Sequence, residues 1–179
     1  MTLLPFDDDP RKPVFARSGW EIPLLEFSQL IEQSRWQDEF FVRNRTDSLL
    51  RALEGKGKRI TDIRSMSDYM YNCVGMIFAS RRAWIETNHL YELLRQDGYH
   101  KVTERDIVRG DLVVYTNDEV PTHVGLIMSI RRDGSHLDNL TVLSKWGKDA
   151  EILHAVNVIP EMYGKPTEFW SERVRNVFG

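Results

Sequence analysis

A single cysteine, Cys73, among 179 residues leaves no partner for an intramolecular disulfide and no set of thiols for a zinc or iron–sulfur site. A thiol so isolated is either incidental packing or a nucleophile. No run approaches the ~18 consecutive apolar residues of a membrane span. At the N-terminus Asp7, Asp8 and Asp9 stand where a secretory leader needs basic residues followed by an apolar stretch. These absences predict no membrane insertion and a cytoplasmic location as encoded, with export left to a dedicated system. Charge of one sign is not in excess either. The 24 basic and 27 acidic side chains leave a net charge of −3, which disfavours nucleic acid or an anionic membrane as a bulk-charge partner. Internal repeats, low-complexity tracts and Pro/Ser-rich linkers are missing too, and the length suits one hydrophobic core.

What is present divides into two regimes. Residues 1–22 mix prolines, acids and isolated aromatics without a period and read as an extended lead-in that packs Phe6, Phe15 or Trp20 onto the body. Residues 23–179 read as one domain. Leu25, Leu30 and Ile31 predict a helix from Pro23 to about Gln33, and Leu49, Leu50 and Leu53 predict another over Asp47–Leu53 that stops at Gly55. The tract Gly55 to Arg59 lacks the Gly-Lys-Ser/Thr ending of a phosphate cradle and reads as a basic loop. A helix capped by Ser67 or Asp68 would carry Cys73, Met76, Ile77 and Trp84 on one mostly apolar face, and another would run from Asn88 to Gln96.

Beyond Gly98 the period changes. Leu112–Tyr115, His123–Ile130 and Leu140–Trp146 are β-branched or aromatic runs separated by turn-rich stretches, so they predict consecutive antiparallel strands. A weaker strand is expected over Ile152–Ile159 and a closing helix over Thr167–Val177, capped by Thr167. Helices first and a strand meander afterwards is an α+β layout.

The chemistry turns on Cys73. A helix start places unsatisfied N–H groups beside a thiol, lowering its pKa and supplying donors to an oxyanion, while Gly75 admits a second backbone at close range. The partner base would be a histidine. His89 lies in the following helix, and His100 and His136 fall in expected turns. His123 opens the most apolar strand of the chain, before Val124-Gly125-Leu126-Ile127, and His154 beside a weaker strand is held in reserve. On the strand after that of His123, side-chain alternation puts Ser144 and Trp146 on one face and Leu143 and Lys145 on the other. A serine hydroxyl there can accept an Nδ1–H bond, whereas a lysine would disfavour imidazolium. Trp146, next to the proposed site, is the tryptophan expected to line a substrate groove.

At these residues the sequence resembles a known family. Asn72-Cys73-Val74-Gly75-Met76-Ile77 is similar to the Asp-Cys-Ser-Gly-apolar-apolar box of the NlpC/P60 cysteine peptidases. Gly110–Tyr115 and Thr122–Ile127 resemble that family's Gly-Asp-Leu strand and His-Val-Gly-Ile strand, in family order. Leu143-Ser-Lys-Trp-Gly147 resembles a less studied branch. The resemblance implies a papain-like α+β fold, with N-terminal helices on an antiparallel sheet and the nucleophile at a helix N-terminus. It implies Cys73 as nucleophile, His123 as general base and a polar residue on the next strand as orienter, for which Ser144 is preferred with Lys145 and His154 as the alternatives, and no metal or organic cofactor. Asn72 and Val74 depart from the family's usual aspartate and small residue, and the usual third histidine has no counterpart on that next strand.

The expected function is therefore a cysteine hydrolase acting on an amide or peptide bond, with peptidoglycan stem peptides as the substrate class the resemblance implies. The alternatives are a thiol acyltransferase and an NlpC/P60-like binding module with a residual triad. The bland reading of Cys73 is a buried small hydrophobe, and that of Arg81-Arg82 and Arg131-Arg132 is solvated surface. Facing a cleft, either arginine pair could read a substrate carboxylate.

Overall fold

Antiparallel strands dominate the architecture, and the hydrophobic period explains most of them. The computed structural model describes residues 13–26, 28–29, 39–56, 60–65, 69–131 and 140–173. In chain order these give α1 (Glu39–Gly55), β1 (Ile60–Ile63), α2 (Cys73–Phe78), α3 (Leu90–Gln96) and β2 (His100–Val102). Then come β3 (Leu112–Asn117), β4 (Val120–Ile130), β5 (Leu140–Lys145), β6 (Glu151–Ala155) and β7 (Lys165–Ser171). The strands form one sheet in the order β1-β6-β5-β4-β3-β7-β2. The three central strands are the three apolar runs legible in the sequence, and the turn-rich stretch after Thr116 becomes a hairpin with Asp118 and Glu119 at positive φ.

Alternation along those strands sorts side chains onto two faces, each buried under helix or turn. Leu112, Val114 and Val124 pack against Cys73 and Val74 of α2 and Leu90, Leu93 and Leu94 of α3. On the other face Val113, Tyr115, Ile127, Val142 and Trp146 pack against Leu53, and Leu50 of α1 borders the same cluster. The N-terminal segment joins the α2 face through Val14, Ala16 and Ile22, with Trp20 against them. Phe15 pairs with Glu21 in an isolated bridge and stays 57% exposed.

Several expectations are corrected. The closing helix expected from Thr167 is instead β7, which inserts between β3 and β2. Its alternating burial from Lys165 to Ser171 is a strand pattern, and Thr116 Oγ1 bonds Thr167 Oγ1 across β3–β7, so Thr167 caps no helix. The cysteine helix is only six residues long, is capped by Asn72 rather than by Ser67 or Asp68, and excludes Trp84. The helix expected over Asn88–Gln96 starts as a 3₁₀ turn at Thr87–His89. His100 lies in β2 rather than a turn. Pro23 to Glu26 are irregular, and the remainder of the helix expected there, most of the basic loop, Phe6 and His136 fall largely or wholly outside the described residues.

The short cysteine helix is set by its two ends. Asn72 Oδ1 accepts from the Gly75 N–H at 3.0 Å, as an N-cap does, and Nδ2 donates to the Ile85 carbonyl at 2.6 Å. At the other end Ala79 N–H and Arg81 N–H both donate to the Gly75 carbonyl, and the chain reverses through Ser80 and Arg81, both at positive φ. The returning chain runs so close that a Cβ on Gly75 would lie 1.8 Å from the Ala83 carbonyl oxygen. Glycine is required there by space rather than by φ.

Candidate functional site

Cys73 is the first residue of α2, and its side chain is buried. Burial pushes the thiol up to about 11, against the pull of the backbone N–H groups of Val124, Val74 and Cys73 itself and of the Lys145 ammonium. Val124 follows His123 directly, so the sulfur abuts the strand at the residue next to the proposed base. The thiol is thus surrounded by donors yet held protonated by its dry setting.

His123 takes the other side of β4. It pairs with Tyr115 across β3–β4, and its imidazole sits between the Tyr115 ring at 5.5 Å and the Tyr163 ring at 4.3 Å. Both ring nitrogens are buried, and among the described residues neither has a hydrogen-bond partner. Burial and the nearby His154 hold its pKa well below the usual value, so it is a neutral imidazole with an unused donor and an unused acceptor. Cys73 and His123 therefore meet the same stretch of β4 from its two opposite sides, the thiol at Val124 and the imidazole on the Tyr115 face, and no hydrogen bond joins them.

Ser144 and Trp146 behave differently from the expectation. Ser144 Oγ lies 2.8 Å from His154 Nε2 and accepts from Trp146 Nε1 at 3.2 Å, so its hydroxyl serves His154 and the indole rather than orienting His123. The cause is register: Val142 pairs with His154 and Ser144 with Ile152, which brings the β6 histidine onto the same face as Ser144. His154 completes its set through Nδ1, 2.8 Å from the Ala155 carbonyl. Burial lowers its pKa to about 4. Trp146 is fully buried in the α1-side core and presents no surface to a groove. Gly125 makes room for this cluster, since a Cβ there would lie 2.3 Å from Val142 Cγ1 and 3.3 Å from Ser144 Cβ.

Lys145 belongs to the thiol's face. Its Nζ donates to the Gly147 carbonyl at 2.8 Å and to the Asp149 carbonyl, and lies 5.0 Å from the Tyr71 ring centroid. Tyr71 in turn donates to Glu151, which is also held by Arg81 through two bonds at 2.5 and 3.1 Å. Arg81 is thus engaged with a buried carboxylate of its own chain. Sequence reasoning missed this network, because the pairing of Lys145 with Glu151 across β5–β6 is not visible until the strands are in register. Among the described residues no group of three or more His, Cys, Asp and Glu side chains is arranged to hold a metal ion, and no helix is long and apolar enough to cross a membrane.

The fold and site define a mixed helix and antiparallel-sheet domain, mostly sheet, with a buried thiol and two buried imidazoles around one central strand. The family described as a domain of unknown function, DUF7689, matches residues 62–171, and the chain belongs to it. Every candidate site residue falls inside that span. No curated protein and no solved structure matches the chain.

Proposed function

We propose that this domain is an NlpC/P60-like cysteine hydrolase of papain-like fold that cleaves an amide or peptide bond, with Cys73 as nucleophile and His123 as general base. The observation that carries the reading is the contrast between the two buried imidazoles. His154 has both nitrogens satisfied, as a structural histidine should. His123 has neither among the described residues, which leaves roughly 1–3 kcal/mol of unmet hydrogen bonding per polar group in the interior. A buried group kept at that cost on the strand that abuts the thiol is better explained by a reaction than by packing.

The reaction requires a local turn of β4 that presents His123, which faces the opposite side of the strand from the thiol, to Cys73; the imidazole then takes the Cys73 proton and the thiolate attacks the substrate carbonyl. The backbone N–H groups at the start of α2 and at Val124 meet the developing oxyanion, the imidazolium protonates the leaving amine, and water activated by the same imidazole releases the acid. An acceptor other than water would make the same thioester an acyl-transfer intermediate. Peptidoglycan stem peptides are the substrate class suggested by the resemblance.

A second reading is favoured by the depth of burial and by a thiol raised to about 11. On that reading the fold serves as a binding module and the pair is residual. Iodoacetamide labelling separates the two. The hydrolase reading expects Cys73 to label at neutral pH at least about tenfold faster in the native chain than in His123→Ala, as one unit of thiol pKa would give. Equal and slow labelling in both chains supports the module.

A further inference from the structure

A groove of about 690 Å³ lies where α3 meets the β3-β7-β2 edge of the sheet, away from the Cys73 and His123 side chains. Its walls combine three aromatic rings, Tyr91, Tyr99 and Trp170, with two carboxylates, Glu119 and Glu168, and the Lys101 ammonium. Trp170, rather than the expected Trp146, is the tryptophan that lines this groove.

The ammonium shows what the groove accepts. Lys101 Nζ stands 5.3 Å from the Trp170 ring centroid and 2.7 Å from Glu168 Oε1. The other carboxylate oxygen of Glu168 accepts the Trp170 indole N–H at 2.8 Å, and the Tyr91 ring closes the side at 6.1 Å from that of Trp170. A ring face beside a carboxylate is the arrangement by which proteins hold an alkylammonium. Lys101 reaches this seat from an edge strand on a flexible stem, with its side chain 59% exposed. An exposed ion pair and an exposed cation–π contact are each weak, so an external amine can displace it.

The surrounding charges favour the exchange. Arg95 at the rim is held by Glu92 one turn away on α3, through bonds at 3.0 and 2.5 Å. Burial and then Glu168, with Glu119 behind it, raise the Tyr91 pKa, a sign of negative potential inside the groove. With Lys101 turned outward, two carboxylates face three aromatic rings.

We propose that this groove is a binding site for a primary alkylammonium group, and that Lys101 occupies the seat as an internal competitor. The proposal stands independently of any chemistry at Cys73. Two sources present that group, a free diamine and a lysine side chain in a peptide, and the test carries an arm for each. The probe is the Trp170 indole N–H resonance of the full chain, assigned through Trp170→Phe, titrated with cadaverine, with Nα-acetyl-lysine-N-methylamide and with 1-pentanol as the uncharged control.

The expected result is a saturable shift with one or both amines and none with pentanol. Lys101→Met should tighten binding about tenfold by removing the competitor, and Glu168→Gln should weaken it about tenfold. Saturation by both amines identifies a general alkylammonium site, saturation by cadaverine alone a site for free amines, and saturation by the lysine derivative alone a peptide or protein ligand. Lys101→Met decides the matter even if Glu168→Gln fails to fold, because Lys101 is exposed on an edge strand. No saturable shift in Lys101→Met with either amine, or an equal shift with pentanol, overturns the proposal.

Discussion

Asn72 ties the start of α2 to the returning chain through both ends of its side-chain amide, a task that an ionised aspartate cannot perform. An asparagine both accepts, from Gly75 N–H, and donates, to the Ile85 carbonyl at 2.6 Å. An ionised aspartate keeps the cap but has no donor, and it turns a second acceptor toward that carbonyl. Asn72→Asp therefore leaves the buried Ile85 oxygen without its side-chain donor, about 1–3 kcal/mol, and places an anion in a buried position. The anion relieves itself by taking up a proton, because the protonated carboxyl can then donate to the Ile85 carbonyl. The variant carboxyl should titrate above its unfolded value of ~3.9. The linkage sign follows from that direction. The protonated form contributes stability that is present below the unfolded pKa and lost as pH rises through the folded one. Urea unfolding of the variant, measured against wild type at pH 4 and pH 8, should show a small deficit in acid and about 2–4 kcal/mol in alkali. A deficit independent of pH, or none at pH 8, would refute the two-ended role of Asn72.

Three further outcomes are expected. Gly75→Ala should cost several kcal/mol or abolish folding, since its Cβ would meet the Ala83 carbonyl oxygen at 1.8 Å; a thermal melt within about 2 °C of wild type would contradict the close approach. Ser144→Ala should destabilise by about 1–3 kcal/mol through loss of the partner to His154 and Trp146, while Cys73 labelling keeps its wild-type rate; a slower rate would restore Ser144 as the group that orients His123. Stability should fall as pH drops from the unfolded histidine range near 6.5 toward 4, because His154, at about 4 when folded, binds its proton more readily when unfolded. That contribution is about 3 kcal/mol across the window, His123 adds to it in the same direction, and His154→Gln should flatten the measured pH slope.

The strands of the centre were legible because their apolar runs are long and β-branched, and turn residues bound them. Leu112–Tyr115, His123–Ile130 and Leu140–Trp146 each matched an observed strand to within a few residues. The edges were not legible. β1 and β2 have four and three residues, too few for a period, and take their conformation from the strands they pair with. β7 was mistaken for a helix because Thr167 and the acids after it imitate a cap, and only its place between β3 and β2 decides otherwise. At the site, Cys73 at a helix start was readable from its neighbours. The service of Ser144 to His154 was not, since it depends on a β5–β6 register linking residues ten apart.

The sequence by itself determined the coarse class of the molecule: one thiol without a disulfide partner, near-neutral charge, and helices combined with a run of apolar antiparallel strands at the centre of the sheet. Those properties depend on composition and local period, which act over a turn of helix or a few residues of strand. Only the tertiary structure decided which side of β4 each group faces, which imidazole is satisfied and which is not, and that Lys101, Glu168 and Trp170 meet at one groove. Such relations join residues distant in the chain through pairing register and burial, and neither is specified until the whole sheet has assembled.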